Sequence, residues 1–94
     1  MADQLKRYYL VRFSKKTGAI DTTLTGLGNG MLQLWALQNL TAKSKDAVIF
    51  DEDGKLHSYY KGTGDFPGVT KYGPESTLCA DDICPGLLDA VKDG

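Results

Sequence analysis

Residues 22–42 read TTLTGLGNGMLQLWALQNLTA, with no Asp, Glu, Lys or Arg, in a chain whose charged content is 24%. The stretch starts with threonines that favour a strand. It passes through Gly26, Gly28 and Gly30 and continues as a run of good helix formers. The pattern predicts a helix over about residues 30–43, with Asn29 as N-cap and Lys43 and Lys45 near the negative end of its dipole. At about 100° per residue, Met31, Leu34, Trp35 and Ala42 form one face. Leu32, Ala36, Leu37 and Leu40 cover much of the remainder. A helix that is apolar nearly all round is expected to be covered on two sides. The cover is either the C-terminal part of the chain or a second chain, which makes helix 30–43 a candidate homodimer contact.

The preceding segment, Leu5–Phe13 (LKRYYLVRF), reads as a strand. Alternation places Leu5, Arg7, Tyr9, Val11 and Phe13 on one face, the better core face, and Lys6, Tyr8, Leu10 and Arg12 on the other. Residues 14–18 (SKKTG) form a turn in which Gly18 can supply a positive φ if the turn needs one, and residues 19–25 return as a second strand. Beyond the helix, residues 47–51 (AVIFD) are a buried strand by composition. Asp51-Glu52-Asp53-Gly54-Lys55 is a turn, and Leu56–Lys61 (LHSYYK) is its partner strand.

The order β-β-α-β-β over residues 1–61 implies an α+β fold, two antiparallel hairpins flanking one helix. Residues 62–94 are loop-rich, with a short strand at 69–72 and Phe66 and Tyr72 packed down. A short helix follows within 76–84, capped by Ser76, and a last one comes after Pro85 with Leu87, Leu88 and Val91. Ninety-four residues make one domain with one core. The expected core is Tyr9, Val11, Phe13, Ile20, Leu24, Met31, Leu34, Trp35, Val48, Phe50 and Leu87.

Charge and motifs narrow the function. The net charge is −1, with residues 1–21 basic and 62–94 acidic. This balance disfavours general nucleic-acid binding. No apolar run approaches the roughly 20 residues of a membrane span, and residues 1–9 (MADQLKRYY) lack the apolar region of a secretory signal. A cytoplasmic protein, inside the host cell if phage-encoded, is the expectation. Cys79 and Cys84, with His57 as sole histidine, are too few for a closed zinc site. Free thiols, a local disulfide and metal shared across a dimer stay open. Gly26–Gly30 lacks the Lys-Ser/Thr ending of a phosphate loop and the spacing of a dinucleotide fingerprint. Asp51–Gly54 lacks the Glu that closes a calcium loop. His57 has Ser58 beside it, but on a regular strand the two point to opposite faces. No catalytic residue, metal ligand or cofactor site is assigned, and a non-enzymatic role is expected.

What remains is aromatic and cationic surface. Tyr8 and one of Tyr59 or Tyr60 should sit outward beside Arg12 and Lys61, with Trp35 on the helix. These six are the candidate partner-binding residues, because Tyr, Trp and Arg are enriched where proteins meet. The expected function is binding another protein, in the manner of a phage or mobile-element accessory factor that inhibits a host defence protein. Two alternatives are a nucleic-acid module using the basic, tyrosine-bearing hairpin, and a small-ligand or anion binder at the glycine-rich helix start.

Overall fold

The computed structural model describes residues 6–40, 43–65, 68–72 and 77–92. Its elements are β1 (Arg7–Ser14), β2 (Ile20–Leu27), α1 (Gly30–Asn39), β3 (Lys45–Asp51), β4 (Leu56–Lys61), β5 (Gly68–Lys71), α2 (Ala80–Ile83) and α3 (Leu87–Lys92). The strands form one antiparallel sheet in the order β2-β1-β3-β4-β5. The two hairpins lie side by side, and α1 carries the chain from edge strand β2 past β1 to β3. The class is α+β, as the alternation of patterns implies.

Helices cover both faces of the sheet. On one face α1 sets Leu32, Ala36 and Leu40 against Leu10, Ala47, Ile49 and Tyr60. On the other, Ala80 and Leu87 from α2 and α3 pack on Val11, Phe13, Val48, Phe50 and Leu56. β3 is therefore buried along nearly its whole length, which is why its apolar run is continuous rather than alternating. Among the described residues of the C-terminal third, none packs over the outer surface of α1. Helices α2 and α3 of this third cover the opposite side of the sheet, and β5 extends the sheet at its edge.

This division corrects the expected core. Leu10, on the β1 face read as the weaker one, is fully buried beneath α1. Ile20, Met31 and Leu34 are exposed, and Tyr9, Leu24 and Trp35 are only partly buried. The helix is also shorter than expected. It ends at Asn39, and Leu40 leaves helical geometry at φ −118° and ψ 63°. Lys45 opens β3 and pairs with Asp21, so it does not serve the helix dipole. Asn29 occupies the N-cap position, but its side chain makes no capping bond. In α2 the cap is Cys79, whose N–H donates to the Asp82 carboxylate at 2.9 Å. The expected Ser76 cap and the placements of Leu5, Ala42 and Phe66 fall outside the described residues. Cys79 and Cys84 are both free thiols, not a disulfide.

Two glycines hold turns that other residues would strain. Gly18 closes the β1–β2 turn at φ +75°. Gly54 closes the β3–β4 turn at φ +84°, and a Cβ there would meet Leu88 Cδ2 at 3.1 Å. The Asp51 carboxylate accepts from the Asp53 and Lys55 N–H groups and faces Lys6 Nζ at 3.6 Å. That turn is thus knitted by its own acid.

Candidate functional site

The face carrying α1 holds a polar chain at one end and an apolar surface along its length. The polar chain begins at the helix start. Gln33 Nε2 donates to Asn29 Oδ1 at 2.5 Å, and Asn29 Nδ2 lies 3.1 Å from His57 Nε2. With the amides in this orientation Asn29 donates, so Nε2 accepts and the imidazole proton sits on Nδ1. Nδ1 lies 2.7 Å from Ser58 Oγ and donates to it. The Tyr8 ring meets the imidazole edge-on, with centroids 5.6 Å apart.

Adjacent residues on a regular strand would not bond this way. The β3–β4 register shifts between Ile49 and Phe50, which pair with Ser58 and Leu56, so His57 falls in a bulge. A bulge brings neighbouring side chains to one side, and the expectation that His57 and Ser58 face apart is corrected here. Ser58 is fully buried. Its oxygen is held as an acceptor and has no opening to solvent.

Burial first, then the nearby Lys71 charge, lowers the His57 pKa below its ordinary 6.5. The unfolded chain therefore binds the proton more readily than the folded one. This contribution to stability is complete above pH 6.5 and is lost as pH falls from there toward the folded-state pKa. Melting temperatures measured from pH 7.5 to 5 should fall in the wild type and fall less steeply in His57→Gln. Identical slopes would show that His57 is not the titrating group.

Tyr60 lies beneath the same helix. Its hydroxyl is buried and has no hydrogen-bond partner among the described residues. Burial raises its pKa, and the nearby Ser58 hydroxyl opposes part of that rise without reaching bonding geometry. An orphaned buried hydroxyl costs stability, about 1–3 kcal/mol where no partner replaces water. Tyr60→Phe should therefore raise the urea midpoint or leave it unchanged; a drop of more than about 1 kcal/mol would show that the hydroxyl is bonded.

Farther along α1, Arg12 and Trp35 come together. Arg12 Nε donates to Asp21 at 2.7 Å, Nη1 reaches the Asn39 carbonyl at 3.4 Å, and the guanidinium stands 5.5 Å from the Trp35 ring centre. The Arg12 bond is the main cause that holds Asp21 at a pKa of about 2. Partial burial opposes it, and Lys45 and Thr22 add to the lowering. Beside this group, Leu24, Thr25, Met31, Leu34, Trp35 and Gln38 line an open groove of about 250 Å³ between β2 and α1. Met31 is 76% exposed and Leu27 64%, with Leu34 and Leu37 near one half. Four large apolar side chains thus face solvent within a segment that holds no charge.

The six expected partner-binding residues do not share one surface. Tyr8, Arg12 and Trp35 lie on the α1 side. Tyr59 lies on the other side, where it bonds Asp46 and carries Lys61 Nζ 5.6 Å above its ring. Tyr60 is buried, so it presents nothing outward. Leu27, Met31, Leu34 and Leu37 were not among the six. Their signal in the sequence was the charge gap together with a helix that is apolar on every side.

Comparison with protein-family models, with curated proteins and with solved structures finds no match to this chain.

Proposed function

We propose that the chain acts by binding another protein through the uncharged outer surface of α1 and the adjoining β2. The supporting observation is the exposure of Met31, Leu34 and Leu37 on α1 and of Leu27 at the end of β2, with Met31 and Leu34 lining a groove beside the partly buried Trp35. Exposed apolar patches of this kind mark sites where proteins meet. Trp35, held by Arg12, supplies the aromatic anchor common at the centre of such contacts.

The alternatives receive less support. Lys6, Arg12, Lys15 and Lys45 each lie in an ion pair with Asp51, Asp21, Asp46 or Asp21 respectively. Three of the five cations in residues 1–21, Lys6, Arg12 and Lys15, are thus engaged by carboxylates, which weakens their attraction for phosphate. At the helix start, the Gly28 N–H is already bonded to the Lys6 carbonyl, and the Asn29 side chain turns to Gln33 and His57. The proposed activity is binding without catalysis, inside the cell that holds the partner. Inhibition of a host defence protein is the form of it that small size suggests.

Affinity capture from cell extract with two baits tests the reading. Met31→Asp with Leu34→Asp changes only exposed positions and should leave stability within about 1 kcal/mol of wild type. The same bait should lose at least about tenfold of any captured partner, which corresponds to about 1.4 kcal/mol. Equal capture by both baits would place the binding surface elsewhere.

A further inference from the structure

The two edges of the sheet differ in a way that the docking surface on α1 does not explain. β5 has four residues and ends in Lys71, features that blunt an edge against pairing. β2 has eight residues and, from Thr22 to Leu27, neither charge, proline nor bulge. Its backbone is also polarised outward. Gly28 N–H points to Lys6, and Gly26, Leu24 and Thr22 share that parity opposite Tyr8, Leu10 and Arg12. By alternation, Thr23, Thr25 and Leu27 aim their N–H and C=O groups away from β1, at the open edge. No described strand pairs there.

We infer that β2 pairs antiparallel with β2 of a second copy, joining two five-stranded sheets into one across a two-fold axis. The argument for a second copy is the absence of like-charge repulsion along the edge. A two-fold contact brings each surface against itself, so any single-sign cluster would repel, and residues 22–27 have none to repel. Centred on Thr25, the register sets Thr25 against its own counterpart and Thr23 against the counterpart of Leu27. Both backbone groups of all three outward residues are then paired.

The space beside the edge suits such a strand. On one face lies the groove between β2 and α1. On the other, Tyr9, Thr23, Thr25 and Val91 line a second recess between β2 and α3. A strand alternates its side chains between faces. The second copy's Leu24 would enter the first recess, and its Thr23 and Thr25 the second. An axis perpendicular to the sheet keeps both α1 helices on one side. The dimer therefore covers the β2 edge and leaves the outer surface of α1 open on both copies, and its test is separate from that of the proposed partner binding.

Sedimentation equilibrium, with amide exchange read residue by residue, tests the inference. The wild type should approach twice the chain mass, and exchange at Thr23, Thr25 and Leu27 should slow as concentration rises. Thr25→Lys sets lysine against lysine across the axis and should raise the dimer dissociation constant at least tenfold. Leu37→Lys, on α1 but outside the groove beside β2, should change it less than twofold. A wild type that stays monomeric to about 1 mM overturns the inference. So does exchange at these three amides that ignores concentration. A dimer broken by Leu37→Lys and untouched by Thr25→Lys also overturns it, by placing the contact on the helix.

Discussion

Phe50→Ala should destabilise the protein by about 3–5 kcal/mol, the usual cost of emptying a phenylalanine site in a core. Phe50 is fully buried on β3, the middle strand of the sheet. It stands opposite Tyr9 on β1, with ring centroids 5.8 Å apart, and opposite Leu56 on β4. Ala80 and Leu87 belong to the same cluster from above. The cavity is therefore walled by two short helices and by two neighbouring strands, and the strands cannot collapse into it without breaking ladder bonds. A domain of this size has a total stability of roughly 5–14 kcal/mol, so the loss is from about a fifth to all of it. Urea denaturation gives the number. A cost under about 1 kcal/mol would mean that α2 and α3 are not packed on the sheet. Leu34→Ala is the control: Leu34 faces solvent on the outer side of α1, and its truncation should stay within about 1 kcal/mol.

The contrast between Phe50 and Leu34 shows which parts of the fold were legible. Val11, Phe13, Val48 and Phe50 alternate on β1 and β3, and the period of two places them together on one face. The turns at Gly18 and Gly54 carry their own chemistry and were readable for that reason. Assigning α1 to a face was not possible from pattern. β1 has Leu10 on one side and Val11 on the other, and β3 is apolar on both, so the strands do not say which side the long helix takes. Nor does the helix. Its wheel lacks a charged side, so Leu32, Ala36 and Leu40 cannot be told from Met31, Leu34 and Leu37 until the sheet is present. The site suffered most from what lies between elements. A register shift between Ile49 and Phe50 decides that His57 meets Ser58 and Asn29. It also fixes which member of the Tyr59–Tyr60 pair is buried. Such a shift depends on strand pairing across the sheet and leaves no mark on either strand alone.

Asp46→Ala should cost about 2–3 kcal/mol, a large effect for a polar position, and its origin can be dissected. Asp46 opens the buried run of β3 and is 1% exposed. Its carboxylate accepts from the Tyr59 hydroxyl at 2.5 Å and from the Gly62 N–H at 3.2 Å, and Lys15 Nζ stands 3.6 Å away. The three partners do not lose equally. Lys15 is substantially exposed and returns to water, so its pair is worth little, as at other surfaces. Gly62 N–H keeps the Lys45 carbonyl at 2.9 Å. Tyr59 is the partner left stranded, half-buried among Val48 and the C-terminal helices. Adding Tyr59→Phe to Asp46→Ala should therefore recover about 1 kcal/mol, and the double-mutant cycle should show coupling of about 1–2 kcal/mol. Additive losses would assign the cost to backbone strain at the strand start. An independent readout is the phenol itself. Burial raises the Tyr59 pKa most, and the Asp46 hydrogen bond and charge raise it further. Ultraviolet titration of Asp46→Ala should therefore find Tyr59 ionising at lower pH than in the wild type, while still above its ordinary 10.0 because the burial remains.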